Sequence, residues 1–292
     1  MAQILSSWKI RDRAFVWGQQ TYVMGVLNVT PDSFSDGGQF NTLDTAVAQA
    51  RSLLRAGADI LDIGGQSTRP NAETVSLETE LERVIPVITA LRQQSDIPIS
   101  VDTTRAAVAA AAIAAGADII NDISGGTYEP EILGVAATHQ VPIILMHIRG
   151  TPKTMQRLTD YQDLLGEIRA FLQQQIAAAI AAGVAPGQIA IDPGIGFAKT
   201  YEQNIAILRQ LPTLRSLGYP LLVGPSRKSF IGHILDQPDP QQRVWGTAAA
   251  CCAAIAGQTD MLRLHDVAEL RDVCRVADAL WRDRAGHPAT NA

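Results

Sequence analysis

Cysteine is scarce: three residues, Cys251, Cys252 and Cys274, in a chain of 292. They lie in alanine-rich helical context and lack the spacing of metal ligands. Buried thiols in a reducing compartment are expected. Basic charge is also in short supply. Lys and Arg number 24 against 29 Asp and Glu, a net charge of −5. That balance argues against broad binding to nucleic acid or to a membrane surface. An anionic substrate would need a local cluster of Arg, Lys or His. Long apolar runs are missing, each being broken by Gly, Asp or Arg before a membrane-spanning length. The start, M-A-Q-I-L-S-S-W-K-I, has no basic stretch followed by an apolar one, so no signal peptide is expected. Also absent are a G-x-G-x-x-G after the first strand-like run and a P-loop. A soluble cytoplasmic protein follows, with no nucleic-acid or membrane partner.

What is present is globular: 47% hydrophobic and 18% charged residues. Short apolar runs alternate with helical patterns from end to end. The runs are Val23–Leu27, Ile60–Ile63, Pro98–Val101, Ile119–Asn121, Pro142–His147, Ile189–Asp192, Tyr219–Val223 and Met261–Leu264. The helical patterns span about Asp44–Ala56, Leu77–Gln94, Thr104–Ala115, Glu131–His139, Tyr161–Ala182, Tyr201–Gln210, Gln242–Ala256 and Val267–Asp283. Eight strand–helix units in about 260 residues match an α/β fold of the (β/α)8 TIM-barrel type. A doubly wound open sheet is the alternative. Trp8, Ile10, Phe15 and Val16 suggest an N-terminal β-hairpin covering the barrel's lower end. Ala56–Asp62 echoes Ala115–Asn121, each a helix end, a Gly cap and the next strand. No linker appears, so residues 1–292 read as one domain with its core at about 20–284. The tail Gly286–Ala292 is expected to be disordered.

In such a barrel the site lies where the strands end. Those positions hold Asn28, Asp62, Asp102, Asn121, His147, Asp192, Ser226-Arg227-Lys228-Ser229, and Arg263 with His265. Taken singly, Asp102 or Asn121-Asp122 could be no more than helix caps, and His147 a satisfied core histidine. Eight polar ends together point to a site. Asp102, Asn121 and Asp192 are rich in acceptors. They suit a flat heterocycle with a guanidine-like edge of N–H donors. Lys228 could donate to that ring, and Met146 and Phe197 could wall it. Arg263, His265 and Lys228 form a basic set where barrels often bind phosphate. Gly64–Pro70 adds backbone N–H groups, hydroxyls and Arg69. Asn28 ends its strand before a long polar loop, Thr30–Gly38, and its carbonyl could ligate Mg2+.

These blocks resemble the dihydropteroate synthases, a family of pterin-binding barrels. The most specific are Val26–Gly38 and Ala58–Pro70. Supporting them are Ser100–Thr103, Ile120–Asp122, Leu145–His147, Asp192–Phe197, Ser226–Ser229 and Arg263–His265. The resemblance implies that Asp102, Asn121, Asp192 and Lys228 hold a pterin, with Met146 and Phe197 beside it. It implies Mg2+ at Asn28, and a diphosphate at Thr68, Arg263 and His265. Arg69, Pro70, Lys228 and Ser229 would form a 4-aminobenzoate pocket under loops 28–40 and 64–74. Asp102, Lys228, Arg263 and His265 would be the catalytic set, expelling diphosphate in an SN1-like step. A homodimer through the later helices, with Ala248–Ala256 as a packing face, is also implied. Gln66 stands where many relatives have Glu, and Asn71 where Gly is common. The rivals are a pterin-dependent methyltransferase barrel, a non-catalytic pterin binder, and a Schiff-base aldolase using Lys228 or Lys199.

Overall fold

The computed structural model describes residues 7–30, 39–70 and 72–282. The expected lid Asp32–Gly38, Asn71 and the tail from Gly286 lie outside the described residues. Two short antiparallel strands, β1 (Trp8–Ile10) and β2 (Arg13–Phe15), form the hairpin. Eight strands follow: β3 (Tyr22–Asn28), β4 (Ile60–Gly64), β5 (Ile99–Asp102), β6 (Ile119–Asp122), β7 (Ile143–Met146), β8 (Ile189–Asp192), β9 (Leu222–Val223) and β10 (Met261–Leu264). Neighbours pair in parallel in the order β8-β7-β6-β5-β4-β3-β10-β9. A bridge between Ile191 and Leu221, with Ile191 N donating to Pro220 O at 2.9 Å, closes the ring. The helices between strands are α1 (Gln39–Arg55), α2 (Leu77–Arg92), α3 (Ala106–Ala115), α4 (Glu131–His139) and α5 (Leu164–Ala181). They continue with α6 (Tyr201–Arg209), α7 (Leu211–Arg215), α8 (Ser229–Ile234), α9 (Val244–Ala256) and α10 (Val267–Trp281). The eightfold barrel read from the sequence is therefore the fold.

Boundaries moved for local reasons. The first turn of α1 carries a single apolar residue and gives no periodic signal. Helix α5 starts at Leu164 because Asp163 caps it, accepting from Gly166 N at 3.0 Å. The run Tyr219–Val223 pairs only over Leu222–Val223, since Leu221 is spent on closure.

The two-residue period of a strand divides the core. Outward residues such as Leu61, Ile120, Leu145, Ile191 and Leu262 are buried under the helices. Inward residues Met24, Ile60, Ile119, Ile144, Ala190, Leu222 and Met261 form a separate lower cluster. The hairpin and the turn after it fill that end with Trp8, Phe15 and Trp17, packed on Tyr22 of β3. Trp8 meets Trp17 edge-on at 4.9 Å between centroids, and its indole N–H donates to Gly187 O at 2.8 Å.

The internal echo has a structural task. Gly57 and Gly116 cap α1 and α3 with φ of 95° and 111°. Two residues later, Asp59 and Asp118 each accept the backbone N–H of a neighbouring strand, Val23 at 2.8 Å and Ile99 at 2.9 Å. An arginine holds each carboxylate, Arg271 on Asp59 and Arg92 on Asp118. Asp260 repeats the device with Leu221 N at 2.9 Å and Arg215. That third copy lacks the Ala-Gly-Ala spelling, which hides it in the sequence.

Phe15→Ala removes a ring at the centre of the lower plug. It is expected to lower unfolding stability by about 3–5 kcal/mol in urea titration. A loss below about 1 kcal/mol would mean that the hairpin does not seal the barrel.

Candidate active site

Register aligns the upper rim. Asn28 pairs with Gly64, Gly64 with Asp102, and Asp102 with Asn121, one row across four strands. A side chain at position 64 would have its Cβ 3.3 Å from the Cβ of Asp102, so glycine keeps this row open. Met146 pairs with Asp192 on the adjacent strands β7 and β8. Asp62, Asn121, Met146, Asp192 and Arg263 each lie two residues beyond a member of the lower apolar cluster. The strands thus carry the same inward face from an apolar floor to a polar mouth.

One ion-pair cluster organises that mouth. Arg263 donates from Nε to Asp62 at 2.6 Å and from Nη2 to Asp102 at 2.6 Å. Asn121 Nδ2 also donates to Asp62, at 3.1 Å. Burial pushes the Asp102 carboxyl up to about 7, with Arg263 pulling it down and Asp62 adding to the rise. Burial works against the charge of Arg263, but Asp62 and Asp102 outweigh it and drive the guanidinium further up. The expected basic set is therefore not a free one: two faces of Arg263 are committed to carboxylates.

The opposite wall holds Asp192, pushed up to about 6 by burial while Gly194 N donates to it at 2.6 Å. Gly194, at φ 72°, makes this turn, and a Cβ there would strike His147 O at 2.0 Å. Lys228 Nζ lies 4.2 Å from the Phe197 ring centroid. Burial, then Arg263, brings Lys228 down to about 8. Phe197 and Met146 belong to an apolar cluster with Ile123, Ile148, Met155 and Ala198. His147 is a satisfied core group: its Nδ1 meets Lys199 Nζ at 3.0 Å, and burial holds it down at about 2. Lys199, down to about 7 through burial, also donates to Phe197 O at 2.8 Å.

Close to Arg263 along the chain, His265 lies against Ser226. Ser226 Oγ accepts the His265 backbone N–H at 3.1 Å and lies 3.0 Å from Nδ1. That contact fixes the imidazole by its Nδ1 edge. Burial, followed by Arg263, Arg227, Lys228 and Arg69, holds the imidazole down at about 3, so it is neutral. Arg227 is not available to a ligand, its guanidinium being paired with Asp266. Thr68 is half-buried, and Arg69, Pro70 and Ser229 are exposed at the rim. Gln66 clasps the second loop. Its Nε2 donates to Ser67 O and Glu73 O at 2.9 Å each, and its Oε1 accepts from Val75 N at 2.8 Å. A carboxylate could not make both donations. Arg83 on Gly65 O and Arg105 on Val75 O fix the ends of that loop.

The fold thus gathers Asp102, Asn121, Asp192, Lys228 and Arg263 round an apolar wall, with His265 beside Arg263 and Asn28 on the rim. Sequence reasoning missed the work of Asp62, Ser226 and Gln66. Position at a strand end marked the first two only as candidates.

A TIM barrel with buried acceptors opposite a lysine and an aromatic wall defines an enzyme scaffold for a small, donor-rich heterocycle. Comparison with known proteins agrees. The family described as pterin binding enzyme matches residues 24–265. A dihydropteroate synthase of Synechocystis is 68% identical over 268 residues, 92% of this chain and 93% of that protein. A Xanthomonas albilineans dihydropteroate synthase in complex with 7,8-dihydropteroate aligns with TM-score 0.85 at 41% identity, covering 94% of this chain and 98% of that one. The Yersinia pestis enzyme in a sulfonamide complex gives TM-score 0.88 at 44% identity, covering 94% and 99%. The chain belongs to the pterin-binding enzyme family.

Protonation of Asp192 or Asp102 turns an acceptor into a donor, and loss of the Lys228 proton removes a charged donor. Affinity for a pterin, corrected for the free ring's own titration, is expected to rise through about pH 6–7 and to fall above about 8. A flat profile from pH 5 to 9 in a fluorescence titration would disprove these assignments.

Proposed function

We infer that the protein is a dihydropteroate synthase. It joins 4-aminobenzoate to (7,8-dihydropterin-6-yl)methyl diphosphate and releases diphosphate. The observation that carries this is the set Asp102, Asn121 and Asp192 opposite Lys228, in a chain 68% identical to a dihydropteroate synthase. A C–N bond forms at the methylene carbon, the C–O bond to diphosphate breaks, and the amine proton passes to water. An aromatic amine is a weak nucleophile, so the site must chiefly assist departure of the leaving group. The ring can delocalise positive charge from the methylene carbon, and the buried carboxylates Asp102 and Asp192 favour that charge. Lys228 donates to the ring and is held over Phe197. Arg263 turns two faces to carboxylates, which leaves Nη1 for the diphosphate. His265 adds a neutral imidazole, and Thr68 a hydroxyl. Arg69, Pro70, Lys228 and Ser229 border the amine pocket.

Mg2+ fits this arrangement as a substrate-borne ion. Among the described residues no three His, Cys, Asp or Glu converge as a cage. Asn28 is half-buried at the strand end and offers one hard oxygen, which suits an ion that takes its other ligands from phosphate and water. Bound there, it would neutralise charge developing on the leaving diphosphate.

A homodimer is supported by exposed apolar residues on the packed pair α9 and α10: Trp245 (75% exposed), Val276, Leu280 (67%) and Trp281. Of the expected small-residue face, Ala249, Ala253 and Ala256 are exposed, while Ala248, Ala250, Cys251 and Ala254 are buried in the chain's own core. No helix among the described residues is long and apolar enough to cross a membrane, which is compatible with a cytoplasmic location. A methyltransferase barrel or a non-catalytic binder has no use for a clasped amine loop. Burial lowers the pKa of Lys199, but its Nζ is engaged by His147 Nδ1 and Phe197 O, which disfavours Schiff-base chemistry there.

Purified protein given both substrates and Mg2+ is expected to form dihydropteroate and diphosphate, with a sulfonamide competing against 4-aminobenzoate. Asp102→Ala and Arg263→Ala should each lower kcat/KM by about 100-fold or more, and near wild-type turnover in either would refute its role. In single turnover without the amine, slow diphosphate release is expected. Its complete absence would favour direct displacement.

A further inference from the structure

No substrate contact is assigned to Asp62 itself, yet it is fully enclosed beneath two residues that have one. Its side chain is fully buried. One oxygen, Oδ2, takes two donors: Arg263 Nε at 2.6 Å and Asn121 Nδ2 at 3.1 Å. The other, Oδ1, has no hydrogen-bond partner among the described residues. In register Asp62 lies beside Ser100, one inward step below the row Gly64, Asp102, Asn121.

Carboxylates only accept, so the amide of Asn121 has one stable orientation over this group. Its NH2 must face Asp62, and its carbonyl must point the other way, out toward the ligand. Asn121 on its own could offer a ring either a donor or an acceptor. With one N–H held on Asp62, its carbonyl oxygen is the group left to face the ligand. The same oxygen fixes Arg263 so that Nη2 reaches Asp102. We propose that Asp62 is a positioning residue that sets the hydrogen-bond polarity of the pocket, holding Asn121 as an acceptor so that a ring edge of N–H donors is taken and one of carbonyls is refused.

Asp62→Asn keeps the shape and removes the acceptor-only character. The asparagine can turn its own NH2 toward Asn121, which then flips at little cost. The informative quantity is the ratio of affinities for a pterin and for its 2-oxo analogue, a lumazine, in which a carbonyl replaces the amino donor. Wild type is expected to prefer the pterin by about 100-fold or more, because the lumazine leaves a buried acceptor unpaired. In Asp62→Asn that preference should shrink to below about 10-fold, chiefly through better lumazine binding. Damage to the fold would weaken both ligands together and leave the ratio unchanged, and that outcome overturns the proposal. Ser100→Ala, at the same depth, should keep the wild-type ratio. If it narrows the ratio equally, Asp62 has no special part. A second measurement needs no variant at position 62. In ligand-free wild type the side-chain NH2 of Asn121, assigned by its loss in Asn121→Asp, should exchange with solvent about 100-fold or more slowly than an exposed amide. Exchange at the exposed rate would overturn the proposal. Because the proposal rests on the pterin assignment, wild type that binds neither ring would overturn both. Wild type that binds pterin, with an unchanged ratio in the variant, would overturn this proposal alone.

Discussion

Eight parallel strands turn every second side chain into a space just wide enough to be filled. Everything distinctive about this protein follows from how the two ends of that space are treated. Below, inward residues such as Met24, Ile60, Ile119 and Ile144 are apolar, and the hairpin aromatics close over them. Two residues further along the strands the inward positions become Asp62, Asn121, Asp192 and Arg263. Groups of this kind survive burial only when paired. Hence the mouth is built as a network, and the hairpin is part of the site although it lies at the other end of the barrel.

The network is deliberately incomplete in charge. Asp62 and Asp102 share one guanidinium, and Asp192 faces Lys228 across the pocket. Burial raises both Asp102 and Asp192, which means that each gains from donors brought by a ligand. A ring with a guanidine-like edge supplies them, whereas a ring presenting carbonyls leaves buried acceptors unmatched. Such mismatches discriminate more strongly than a missing methylene in an apolar pocket. On the proposed assignment, selectivity for a pterin would therefore come from the cost of leaving this floor unsatisfied, more than from the shape of the walls formed by Met146 and Phe197.

The barrel was legible because strand-like runs and helical patterns alternate with no interruption, and the rim because polar residues stop each run. Capping was a fair alternative for Asp102 and for Asn121-Asp122, and the outcome is divided. Asp122 does the local work, accepting from Ser124 N at 2.7 Å and Gly126 N at 2.6 Å. Asp102 caps nothing. The N-terminus of α3 is served instead by Glu129, whose carboxylate accepts from Ala106 N at 2.8 Å. Nothing local separates the two aspartates. The pairing of Arg263 with Asp62 spans 201 positions of chain, so no window of sequence contains it. Ser226 sits in its motif as an ordinary loop serine, and its bond to His265 forms only when β9 and β10 lie side by side. Gln66 departs from the common Glu, and its clasp on Glu73 and Val75 depends on the path of the loop.

The state of His265 bears on how a leaving group is held without a standing excess of positive charge. Arg263, Arg227, Lys228 and Arg69 all press on this imidazole, and burial adds to them, so it is neutral in the empty site. A fifth cation there would be repelled by the other four. Asp266 already neutralises Arg227, and Asp62 and Asp102 neutralise Arg263. On the proposed assignment a diphosphate would change that balance by bringing its own negative charge. It would meet a neutral imidazole placed against Ser226 and the free face of a guanidinium. Neither would need to be charged or reorganised as the C–O bond lengthens, which is the condition for electrostatic assistance to act on the transition state. The anion subsite so proposed would be pre-arranged yet close to neutral while empty, and its attraction would grow as negative charge collects on the departing oxygen.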